Sequence, residues 1–178
     1  MESDFLLYGP VAADLLQAAG FASRRMDLVA GECTAPAVKT RLKQLTAKDI
    51  FPDSVAPEAA LSGLYLYISC FEEAHNIAQD IHSAEGSYWH AIMHRQEPDA
   101  GNASYWFHRV GEHSIFPALA LEAEKLGYQT GPDWDPLQFI AYCEKARHGG
   151  LKDEQALAIA VQHAEWQLLF DHCARPKE

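Results

Sequence analysis

His90, His94 and Glu97 stand at i, i+4 and i+7, so one helix through them turns two imidazoles and a carboxylate to the same side. That histidine spacing is how a single helix offers two nitrogens to a metal, and Glu97 can add an oxygen. The zincin motif shares the spacing but needs its general-base glutamate at position 91, where this chain has Ala91. The pair therefore belongs to a different arrangement, or its imidazoles are satisfied by the backbone and by each other.

His75 and His82 sit just upstream, on a stripe with Leu64, Ile68, Phe71 and Ala78 at alternating steps of three and four residues. The helix face that enters the core as leucine thus continues as histidine. A buried neutral imidazole needs a donor and an acceptor, which a metal, a carboxylate or a ligand can supply. Six of the nine histidines fall between His75 and His113. The predicted ligands are His75, His90, His94 and Glu97, holding zinc, manganese or iron, with Glu97 or Asp99 as general base.

A second group surrounds them: Trp89, Arg95, Asn102, Tyr105, Trp106, Arg109 and His113. Arginine grips carboxylates and phosphates in a bidentate way, asparagine and carboxylates suit hydroxyls, and the aromatic faces can wall a ring. The competing expectation is a structural network in which Arg95 and Arg109 clamp Glu97 and Asp99.

The block Gly86-Ser87-Tyr88-Trp89-His90-Ala91-Ile92-Met93-His94-Arg95 runs on through Glu97-Pro98-Asp99, Asn102-Ala103, Tyr105-Trp106-Phe107 and Arg109-Val110-Gly111 to His113. It resembles an uncharacterised family of bacterial and fungal proteins. The resemblance covers about the middle quarter of the chain and implies a unit, with no activity attached.

The elements that must position these residues read as helices throughout. Gly20 stops a helix over 11–19, and Thr34-Ala35-Pro36 opens one to about residue 45 with Thr34 as N-cap. A long helix over 57–83 is the expected spine, broken by Glu85-Gly86, followed by a helix over 87–96 that Pro98 stops. Asn102 is a candidate N-cap for 103–110, Gly127 closes 117–126, and Asp135-Pro136 opens a helix to 147. The last helix, 153–172, carries Leu157, Val161, Ala164 and Leu168 on one face. No stretch alternates with period two. The expected fold is all-α, a single-domain irregular bundle of about seven helices over 1–178.

Composition narrows the partners. The chain has 178 residues, 48% hydrophobic and 22% charged, as in a globular domain. A formal charge of −11 argues against nucleic acid and against anionic membranes. No run approaches a membrane span, and Met1-Glu2-Ser3-Asp4 lacks a signal peptide's basic region. Cys33, Cys70, Cys143 and Cys173 are scattered without a Cys-x-x-Cys pair, which suits reduced thiols and a cytoplasmic protein.

Three functions fit. The first is a small-molecule enzyme, hydrolase- or lyase-like, with the metal at the histidines and a pocket between 57–83, 87–96 and 98–113. The second is a metal-free module binding a sugar-like or carboxylated small ligand. The third is an interaction protein with a buried structural polar network.

Overall fold

Ten α-helices run through the computed structural model, which describes residues 7–21, 23–131, 133–149 and 151–176. They are α1 (Pro10–Ala18), α2 (Pro36–Leu42), α3 (Ala47–Ile50), α4 (Pro57–Tyr67), α5 (Phe71–Ala78), α6 (Ala84–Gln96), α7 (Ala100–Val110), α8 (Phe116–Leu126), α9 (Pro136–Arg147) and α10 (Lys152–Ala174). The all-α bundle is as expected, with more helices than seven. Among the described residues the only β pairing is an isolated bridge between Ser54 and Pro176, and no helix is long and apolar enough to cross a membrane.

Two of the additional helices have clear causes. The short α3 is nucleated by a capping box: Thr46 Oγ1 accepts from the Asp49 amide, while the Asp49 carboxylate accepts from the Thr46 amide. The expected spine is not continuous either; it divides into α4 and α5 at Ser69. That residue is left-handed, at φ 57°. Its amide donates to Leu66 O at 3.0 Å and the Cys70 amide to Tyr65 O at 2.9 Å, the paired bonds of a Schellman ending.

The break is held from outside. Tyr67 O accepts from Arg24 Nη2 at 2.8 Å. Ile68 O accepts from the Thr34 amide at 2.9 Å and its hydroxyl at 3.1 Å. Carbonyls freed by the break are thereby satisfied, as burial demands. Thr34 is spent on this contact, so it does not cap α2; Ala35 takes the N-cap position without a side-chain bond. His82 lies beyond the end of α5, exposed, and does not prolong the stripe.

Gly86 does not break the chain; it lies in the first turn of α6. A Cβ there would fall 2.4 Å from Ile81 O, so glycine is required by the closeness of the preceding turn. Gly63 plays the same part between α4 and α6, where a Cβ would meet the Trp89 ring at 2.6 Å. The start of α7 also differs from expectation. Asp99, not Asn102, is the N-cap, its carboxylate accepting from the Asn102 amide and side-chain Nδ2 at 3.0 Å each. Asp135 caps α9 as expected, accepting from the amides of Leu137 and Gln138.

The axis of the fold is α10, buried on several sides. Its C-terminal half, through Trp166, Leu169 and Phe170, joins α1–α7 in one core. Its N-terminal half, through Ala158 and Val161, joins α8 and α9 in a second. The Trp166 Nε1–H donates to Gly63 O at 2.8 Å, tying α10 to α4. Arg95 and Glu165 are each wholly buried and form an ion pair. Tyr88 OH donates to Glu165 Oε1 at 3.1 Å, Arg95 Nη2 reaches Gln162 Oε1 at 3.4 Å, and the guanidinium lies 4.7 Å from the Phe139 ring centre.

Candidate metal centre

Because α5 starts afresh at Cys70 and packs beside α6, His75 meets the two histidines of α6. Its ring centre is 4.4 Å from His90 and 5.8 Å from His94, while His90 and His94 stack at 4.9 Å. One ligand nitrogen from each of the three can be chosen so that all lie within 4.8 Å of one another. His90 and His94 are buried and His75 half-buried. The Trp106 ring from α7 lies nearly parallel on His90, centres 4.0 Å apart. Arg109 lies over Trp106 at 5.2 Å and over Tyr105 at 6.0 Å.

His90 Nδ1 is buried with no hydrogen-bond partner. Burial, then the neighbouring His75 and His94, push the His90 imidazole down to about 4. At neutral pH it is uncharged and keeps a lone pair to offer. Glu97 ends α6, its Oε2 3.0 Å from His94 Nδ1 but off the line of the ring N–H. This exposed carboxylate needs a small rotation to orient the ring from behind, as outer carboxylates orient metal-binding histidines.

The remaining predicted residues are placed differently. Arg95 is committed to Glu165, and its carbonyl accepts from Arg147 Nη1 at 2.8 Å. Trp89 is fully buried against Gly63, its ring centre 6.3 Å from that of Trp166. Asp99 and Asn102 bond to each other at the start of α7, and the Asn102 amide and side chain hold the Asp99 carboxyl below its usual range.

His113 belongs to a second cluster, with Glu85 and His172. Sequence reasoning passed over both partners, which lie on α6 and near the end of α10. Glu85 Oε1 is 3.2 Å from His172 Nε2 and 3.9 Å from His113 Nε2, and the two rings are 5.0 Å apart. Burial, together with the His172 charge, lowers the His113 imidazole against the opposing pull of Glu85. His113 Nδ1 accepts from the Ile115 amide at 3.4 Å. A neutral ring accepting at Nδ1 carries its proton on Nε2, the nitrogen facing Glu85. That tautomer favours a hydrogen-bonding relay over a metal here. No such commitment binds His90 Nδ1.

Both clusters have the donors to chelate a metal. They share α6 and lie on opposite faces of it, since the nine residues from Glu85 to His94 turn the helix through about 900°. A cavity of about 760 Å³ opens beside the second, lined by Phe107, His113, Phe116 and Trp134. It lies against α7, α8 and the start of α9, rather than between α4–α5, α6 and α7 as the sequence suggested. Four carboxylates line it, Glu112, Glu124, Asp133 and Asp135, with no lysine or arginine among its described lining residues.

No protein family, curated protein or solved structure matches the chain.

Proposed function

We propose that the protein holds one divalent transition metal (zinc, manganese or iron) at His75, His90 and His94, and acts through it on a small molecule. The observation that carries this reading is the convergence of three imidazoles, two of which, His90 and His94, have a buried unpartnered Nδ1. Leaving a buried polar atom unsatisfied costs about 1–3 kcal/mol, and a metal removes that cost. Three protein ligands leave a coordination position open, the pattern of catalytic rather than structural zinc. Bound there, the ion would supply Lewis acidity for a hydrolase- or lyase-like reaction.

The chain's own groups then take definite parts. Glu97 orients His94 and, being exposed, can carry a proton to and from solvent. Trp106 holds His90 in plane by stacking. Arg109, Tyr105 and Trp106 form the exposed edge on which a planar or anionic substrate group would rest. Asp99 is left to its helix cap, so the base is Glu97. Cobalt(II) titration tests the centre: intense visible bands of a tetrahedral nitrogen site should appear at one equivalent. His75→Ala, His90→Ala or His94→Ala should each abolish them with the helical circular dichroism intact. Unchanged bands in those variants would defeat the assignment.

The cavity favours a second reading, metal-free binding of a small ligand. Its carboxylates and aromatic faces suit a protonated amine better than a carboxylated ligand. Phenethylamine should then raise the melting temperature in the presence of a chelator, and phenylacetate should not. The reverse order, or no effect from either, removes this reading.

A further inference from the structure

The four cysteines look unrelated in sequence, yet the fold brings two of them together. Cys33 Sγ and Cys70 Sγ are 2.7 Å apart across a separation of 37 residues. Cys143 and Cys173 are both buried, and neither makes such a contact. The juxtaposition is built by the backbone. Thr34, next to Cys33, is bonded through its amide and hydroxyl to Ile68 O, two residues before Cys70. Arg24, from the same connecting segment, is bonded to Tyr67 O and Ser69 Oγ. Residue 33 is thereby registered against residue 70 by four hydrogen bonds that need not move when the sulfurs join.

We infer that Cys33 and Cys70 form a reversible disulfide, a redox staple that fastens the 24–34 segment across the break between α4 and α5. The oxidant is a low-molecular-weight disulfide of the glutathione class. Cys33, the half-buried member, attacks it as thiolate, forming a mixed disulfide and releasing one glutathione thiol. Cys70 then attacks the Cys33 sulfur, expelling the second. One disulfide is reduced to two thiols, two protein thiols are oxidised to one disulfide, and the two thiol protons pass to the two departing thiolates. Burial and the adjoining Cys33 push the Cys70 thiol up to about 12, so it is Cys33 that meets the oxidant first. The staple lies where α5 begins, and α5 carries His75.

The test is incubation of the whole purified protein with oxidised glutathione, followed by thiol counting under denaturing conditions and peptide mapping without reductant. Two of the four thiols should disappear, with one cross-linked peptide joining residues 33 and 70. Dithiothreitol should restore all four. Cys33→Ser should give no cross-link and should not show the rise in melting temperature that oxidation gives the parent. Survival of all four thiols would overturn the inference. So would glutathione retained on Cys33, or a link to Cys143 or Cys173.

Discussion

Replacing Arg95 with methionine removes the cation from a pair in which both side chains have no exposed surface. Glu165 is then left with the Tyr88 hydroxyl at 3.1 Å as its hydrogen-bond donor, and Gln162 Oε1 loses Arg95 Nη2. Breaking a buried pair by removing one member costs about 3–5 kcal/mol, because the remaining charge is neither solvated nor compensated. For a chain of this length each kcal/mol moves the melting temperature by roughly 2–4 °C, so a fall of about 6–20 °C is expected. Urea unfolding followed by helical circular dichroism measures the free energy directly. Adding Glu165→Met should restore much of the loss, since apolar side chains often replace a buried pair at little net cost. An Arg95→Met protein within about 1 kcal/mol of the parent would refute the reasoning, because that is the worth of a solvent-screened surface pair.

Gly63→Ala should destabilise by about 1–3 kcal/mol through overpacking, since the new methyl meets the Trp89 ring at 2.6 Å; a neutral result in urea melts would contradict the close approach of α4 and α6. Asp135→Ala should cost about 1 kcal/mol by uncapping α9, with the same assay reading it. The metal-free protein should lose stability on acidification. His90 and His163 are each lowered from 6.5 to about 4, chiefly by burial, so the folded protein takes up these protons less readily than the unfolded chain. Stability is complete above 6.5 and declines as pH falls toward 4, by up to about 1.4 kcal/mol per unit for each ring. Urea midpoints at pH 7.5 and 5.5 that coincide would contradict this. Trp106→Ala should weaken metal retention by freeing His90, while Tyr105→Ala, at the exposed edge, should leave retention unchanged; equal effects would deny Trp106 its positioning part.

What the sequence disclosed depended on distance along the chain. The i, i+4 relation of His90 and His94 is a property of one helix and needed no tertiary knowledge. Proline and aspartate signals fixed the starts of α4 and α9 because they act on the local backbone. The meeting of His75 with His90 was anticipated as a possibility, but its cause, the ending of α4 at Ser69, was not legible. Ser69 is an unusual left-handed residue, and the groups that satisfy its neighbours, Arg24 and Thr34, lie more than thirty residues upstream. Glu165 gave no local sign of burial, since its partner Arg95 is 70 residues away. Glu85, His172 and the Cys33–Cys70 contact escaped for the same reason: each pair is defined by how helices pack, not by spacing. Gly86 shows the converse error. Its type suggested a break, whereas a helix accepts glycine where a neighbouring turn leaves no room for a Cβ.

Elemental analysis by inductively coupled plasma mass spectrometry, on untagged protein purified without chelator, tests the central claim most directly. The account predicts one transition-metal ion per chain, retained through gel filtration and absent from the His90→Ala protein. A metal-free protein that stays empty after incubation with zinc, manganese and iron would contradict it, as would a His90→Ala protein that holds metal as firmly as the parent.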